Sequence, residues 1–183
     1  MKRFPYTTIV LVALIFYGYS LEMLAGGLPP CEAYGLVPAR WTLGSLLFGM
    51  FLHDPDHLSH IVGNVACLAF AGFIVERAIG HLAFLVLYLT AGICGGLLHV
   101  LVDPNSLEPM VGASGAICGV LAVMGALRPR LLGFVVGFTL VNVWYALVGG
   151  GEGVSFGTHL GGFAVGVLAV AAVRATGNEL EAA

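Results

Sequence analysis

Long apolar stretches separated by short polar links make up most of this chain. Six of them run over 7–24, 58–75, 82–102, 111–127, 131–148 and 155–173. Each is long enough, or nearly so, to cross a hydrocarbon core of about 30 Å, which takes about 20 helical residues at about 1.5 Å each. The one charged residue inside any of them is Glu22, near the end of the first. A seventh stretch, 41–52, has Arg40 before it and His53-Asp54-Pro55 after it. It is too short to span, and predicts a helix lying in the interface or partly re-entrant between spans one and two.

Composition agrees with that pattern. Hydrophobic residues make up 59% of the 183 and charged residues 9%, against about 25% charged in a soluble domain. Mean hydropathy is +0.99. The expected fold is an all-α membrane protein with six transmembrane helices over 7–174, flanked by a short N-terminus (1–6) and a polar tail (175–183). No internal repeat or second soluble domain is visible. The four cysteines do not form a disulfide framework, and Cys67, Cys94 and Cys118 fall inside apolar runs, where free cysteine behaves as a small hydrophobe.

The net charge of −3 matters less than where the charges lie. With six spans, Lys2, Arg3, Arg77, Arg128, Arg130 and Arg174 fall on one side, and Arg40 alone falls opposite. The positive-inside rule makes the first side cytoplasmic, with both termini on it. The opposite loops carry Glu32, Asp54, Asp56, Asp103, Glu108 and Glu152. An alternative for the start is a cleaved signal peptide ending near Ala25-Gly26-Gly27, although a clear A-x-A site is missing and the run reaches span length.

Orientation allows depth to be estimated. If helix begins near Pro109, Ser114 lies about 7 Å below the outer boundary. By the same rise His159 lies at about 10 Å, and His60 and Asn64 at about 6 and 12 Å. His60 and Asn64 are four residues apart and share a helix face. Taken singly, each polar group is explained as a hydrogen bond between helices. Four in one layer, with a serine and a histidine on different spans, point to a site. Gly115/Gly119 and Gly162/Gly166 form G-x-x-x-G faces on the spans that carry Ser114 and His159, which lets those backbones approach closely.

At this level the chain resembles the rhomboid family of intramembrane serine proteases. The matching residues are Gly112-Ala113-Ser114-Gly115, His159-Leu160-Gly161-Gly162 through Gly166, and His60-x-x-x-Asn64. Met50-Phe51-Leu52-His53 and Glu76-x-x-x-Gly80 fit as well. The resemblance covers about 41–173. It implies that Ser114 is the nucleophile and His159 its general base, with His60, Asn64 and the Ser114 N–H forming the oxyanion hole. It also implies a membrane-embedded first loop at 41–52, with span five and the 149–153 loop acting as gate and cap. Two departures stand out: Arg40-Trp41-Thr42 where the family has Trp-Arg, and Cys118 where some members carry an aromatic ring.

No acidic residue lies in the span around His159, so a serine–histidine dyad is expected rather than a triad. The expected reaction is cleavage of single-span membrane-protein substrates near the extracytoplasmic ends of their helices, in a bacterial inner membrane. No cofactor and no nucleic-acid partner are expected. Three other readings compete with this one. His53, Asp54, Asp56, His57 and His60 crowd together in the manner of metal ligands, but there is no H-E-x-x-H motif, and solvated loop side chains are the plainer reading of His53 and His57. A helix-binding relative without catalysis would lack the dyad. A transporter would need an ionisable relay at the midplane, and none is present.

Overall fold

The computed structural model describes residues 4–26, 29–147 and 155–177. Their regular structure is helical: α1 (Tyr6–Leu24), α2 (Pro29–Tyr34), a 3-10 turn at Pro38–Arg40, α3 (Leu43–Phe48), α4 (Leu58–Ile79), α5 (His81–Val102), α6 (Ser114–Leu127), a second 3-10 turn at Pro129–Leu131, α7 (Leu132–Leu147) and α8 (Phe156–Ala175). An isolated antiparallel bridge joins Leu36 to Met110.

Four helices, α1, α4, α5 and α8, are long and apolar enough to cross a membrane. The other two expected spans are shorter, at 14 residues in α6 and 16 in α7. At about 1.5 Å per residue they reach about 21 and 24 Å, short of a hydrocarbon core of about 30 Å. For α6 the cause is local. The apolar run at 111–127 starts before the helix does, because Gly112 takes φ +119° and donates its N–H to the Gly49 carbonyl at 2.8 Å. Only glycine holds that backbone conformation cheaply. Helix α6 is nonetheless enclosed by protein: every residue from Gly115 to Gly125 is buried, as is Leu127. It needs little length to face lipid, because it faces helices instead.

The segment at 41–52 is less helical than expected, six residues rather than twelve. Thr42 caps α3 by accepting the Ser45 N–H at 3.0 Å, while Ser45 Oγ accepts the Thr42 N–H at 2.9 Å. This reciprocal bonding ties up donors that the first turn would otherwise leave unpaired. Trp41, Leu43 and Phe48 point outward, whereas Leu46 packs with Leu36 and Val100.

A buried carboxylate holds each end of α1. At its start, Glu76 of α4 accepts the N–H groups of Thr7 and Thr8, both at 2.7 Å, and the Thr8 hydroxyl at 2.6 Å. First-turn N–H groups have no intrahelical acceptor, so this cap from another helix satisfies them. At its other end Glu22, fully buried, turns to the loop before α4.

Candidate active site

Helix α8 lies in a groove between α5 and α6, and the groove is walled by glycine. A methyl group added at Gly162 would collide with the Gly115 carbonyl oxygen, and one added at Gly166 with the Gly119 carbonyl oxygen. One added at Gly119 would lie 2.9 Å from the Gly162 carbonyl. The two expected G-x-x-x-G faces therefore meet, backbone on backbone. Helix α5 adds a second glycine face: a Cβ on Gly95 would lie 2.5 Å from the Thr158 carbonyl, and one on Gly161 2.9 Å from Gly95 Cα. This second seam was missed from sequence, although Gly92, Gly95 and Gly96 cluster in α5.

The seam brings Ser114 and His159 together, with His159 Nε2 2.8 Å from Ser114 Oγ. Ser114 is not one turn inside its helix, as expected, but its first residue. The depth estimate that counted helix from Pro109 falls with that correction, because 109–113 are not helical. The first bond of α6 joins the Ile117 N–H to the Ala113 carbonyl at 3.0 Å. The N–H groups of Ser114, Gly115 and Ala116 therefore have no acceptor within the helix, and the positive end of its dipole lies at the hydroxyl.

The start of α8, which carries His159, is held by its own cap and by a contact from Thr158 to Met110. Ser155 caps α8 by accepting the Thr158 N–H at 3.2 Å, and its carbonyl accepts the His159 N–H at 3.2 Å. The Thr158 hydroxyl contacts Ser155 Oγ and Met110 Sδ, each at 2.8 Å. For Nε2 to accept the Ser114 proton, Nδ1 must carry the ring hydrogen. Nδ1 is buried and has no partner among the described residues, so no carboxylate stands behind the imidazole there.

The other two expected site residues come in from α4. His60 lies against Gly112, where a Cβ would be 2.6 Å from its Nε2. Gly112 is thus required twice, by its φ and by the ring packed on it. Asn64 is buried and donates from Nδ2 to the His60 carbonyl at 2.9 Å, which leaves one amide hydrogen. That bond ties it to the turn carrying His60 rather than to Ser114 itself.

The His/Asp cluster at 53–60 splits. His57 is exposed and bonds Asp54 at 2.7 Å. His53, expected to be a solvated loop residue, is fully buried, and its ring lies 5.0 Å from that of His60. Burial, helped by the nearby His60, pushes the His53 pKa down to about 3. Burial likewise pushes the Cys31 thiol upward, and its hydrogen bond to Glu22 adds to the shift. Among the described residues no three His, Cys, Asp or Glu side chains converge as a metal would need. Of the two departures, Arg40 sits exposed in its 3-10 turn and Cys118 is buried in α6. The 149–153 loop lies outside the described residues.

A family model described as Rhomboid domain matches residues 40–176. The chain belongs to the rhomboid family. It is 31% identical to "Rhomboid-like protease 5" of Toxoplasma gondii over 132 residues, 67% of this chain and 15% of that protein. It is 30% identical to "Rhomboid protease GluP" of Bacillus subtilis (strain 168) over 182 residues, 93% of this chain and 34% of the other. "RHOMBOID-like protein 7" of Arabidopsis thaliana is 32% identical over 92 residues, half of this chain and 28% of its own length. The rhomboid chain described here thus matches about a third or less of each of these relatives' length.

Proposed function

We propose that the chain is an intramembrane serine endopeptidase. In this reading it cleaves transmembrane helices of single-span membrane proteins near their extracytoplasmic ends. The observation that carries the reading is the 2.8 Å contact between His159 Nε2 and Ser114 Oγ, made between helices whose backbones touch.

As His159 Nε2 takes the hydroxyl proton, Ser114 Oγ bonds to the scissile carbonyl carbon. The carbonyl π pair moves onto oxygen, and that oxyanion forms beside the positive end of α6. The Ser114 N–H, His60 and the second amide hydrogen of Asn64 are the donors assigned to it. Collapse breaks the C–N bond, and the imidazolium returns its proton to the leaving amine. Water, activated by the same base, then releases the acyl group from Ser114. With no partner for Nδ1 among the described residues, the pair works in this reading as a dyad.

Substrate chemistry follows from the solvent. A helix in lipid has its backbone hydrogen bonds satisfied, so a segment must unwind before Ser114 can reach a carbonyl. Helices with small or helix-destabilising residues near the outer boundary fit best. The distribution of basic residues supports both termini being cytoplasmic, and a bacterial inner membrane is the proposed setting.

The test is direct. Detergent-purified protein is treated with a fluorophosphonate probe and with tagged single-span peptides, and any cut is mapped by mass spectrometry. Labelling and cleavage that vanish in Ser114→Ala and in His159→Ala support the reading. Cleavage surviving Ser114→Ala removes the nucleophile assignment, and peptide binding without labelling points to a helix-binding relative instead.

A further inference from the structure

Glu22 interrupts the first apolar run with a charge, and its side chain is fully buried at the end of α1. Its carboxylate accepts the His53 backbone N–H with both oxygens, at 3.1 and 3.0 Å. The Cys31 thiol donates to the first of those oxygens at 2.9 Å, so α2 fixes the carboxylate in turn. His53 belongs to the irregular stretch between α3 and α4. The Phe51 N–H reaches Phe48 and the His57 N–H reaches Asp54, and between them the backbone at His53 is tied to Glu22.

The His53 ring is fully buried, and neither of its nitrogens has a partner among the described residues. What it does make is a ring contact with His60, centroids 5.0 Å apart and planes at 53°. His60 rests in turn on Gly112, two residues before Ser114. Contacts thus run from α1 through Glu22, His53 and His60 to the loop that presents Ser114.

We infer that Glu22 is a positioning residue for the oxyanion donor His60, acting through His53. This rests on the protease reading. A donor aimed at a developing oxyanion has to be in place before reaction, and small displacements of such groups cost rate. The loop has no helix of its own to hold the His53 ring against His60. Two carboxylate oxygens converging on one N–H supply that fixed point from a neighbouring helix.

The experiment uses the full-length detergent-purified chain and steady-state cleavage of a tagged single-span peptide. Wild-type cleavage lost in Ser114→Ala establishes the reaction separately, and an inactive wild-type chain overturns the protease reading and this inference together. Glu22→Met fills the volume without accepting a hydrogen bond. It is expected to lower kcat by about 10- to 100-fold with KM within about twofold. Glu22→Gln keeps an acceptor and is expected to recover kcat to within about threefold of wild type. If Gln falls as far as Met, the acceptor role is wrong.

In a His60→Ala background, Glu22→Met is expected to cost less than about twofold more, because the group it positions is gone. An equal loss in both backgrounds marks a merely structural residue and overturns the inference. If Glu22→Met does not fold, His53 carries the test, since its ring makes the contact with His60 on which the inference turns. His53→Ala should then lose about tenfold in kcat and His53→Phe stay within about threefold. His53→Ala at wild-type kcat overturns the inference.

Discussion

Helix α8 and helix α7 are both apolar and adjacent in the chain, yet they are held in opposite ways. On α8, Gly161, Gly162 and Gly166 press against the backbones of α5 and α6 with no side chain between. On α7, Val135 is the buried residue among the described side chains, set on Gly125 of α6, while Phe134, Val136 and Leu140 face outward. Cβ atoms on Gly133 and Gly137 would meet nothing within 4 Å. The same residue type thus serves as a close-approach site in one helix and as surface in the next. The Ser114–His159 pair lies on the side where separation is fixed by backbone contact, and the helix that the resemblance makes a gate is not held that way.

Gly162→Ala gives the sharpest break of that contrast. The new methyl meets the Gly115 carbonyl, one residue from Ser114, and no flexible side chain can move aside. Overpacking of this kind costs about 1–3 kcal/mol. A displacement of about 1 Å at the reacting pair costs about 100-fold in rate. Thermal unfolding in detergent and fluorophosphonate labelling read the two effects. A variant as stable and as reactive as the parent would mean that the seam does not set the Ser114–His159 distance.

Gly166→Ala separates holding from positioning. Its methyl meets the Gly119 carbonyl and Ala122 Cβ, one turn further along α8 from Gly162. The steric cost is again about 1–3 kcal/mol, but the expected loss of labelling rate is nearer tenfold, because α8 can tilt about its capped start. Equal losses of rate at 162 and 166 would show that α8 moves as a rigid body.

Much of this contrast was legible in the sequence, and the illegible part has a common cause. The G-x-x-x-G faces, together with a serine and a histidine on the same helices, were enough to pair Ser114 with His159. The start of α6 was not readable, since Val111, Gly112 and Ala113 are as apolar as the helix they precede. What stops the helix is a bond from Gly112 to Gly49, more than sixty residues away in sequence. His53 looked like a solvated loop residue for the same reason: hydropathy along the chain cannot see that Glu22 takes its N–H or that His60 covers its ring. Periodicity reports which residues avoid water, and tertiary acceptors decide where helices begin.

Gly137→Ala is the converse of the seam substitutions. With open space at that position, the added methyl removes glycine's backbone freedom without a clash. The expected result is a gain of up to about 1 kcal/mol in unfolding measurements, with labelling rate within about twofold of the parent. A loss of stability would place α7 against protein and take away the contrast with α8.

The smallest effect belongs to a pair within one loop, where His53 is enclosed and His57 is open. Burial holds His53 near a pKa of about 3, so its ring should stay neutral across the range in which the protein is handled. His57 is raised above its ordinary 6.5 by its hydrogen bond to Asp54, and by that carboxylate's charge. Asp54 is lowered from 3.8: partial burial opposes ionisation, but the bonds from His57 and from the Asp56 N–H outweigh it. The histidine's contribution is complete below 6.5 and fades as pH rises through its higher folded value. The aspartate's is complete above 3.8 and fades as pH falls through its lower folded value. Both are present together between about 4 and 6.5, and the exposure of His57 keeps the net effect small. NMR titration should therefore show one loop histidine titrating above 6.5 and returning toward it in Asp54→Asn, while His53 does not titrate near neutrality. An unchanged His57 midpoint in Asp54→Asn would remove the pairing, and a His53 that titrates near 6.5 would mean that water reaches the ring behind His60.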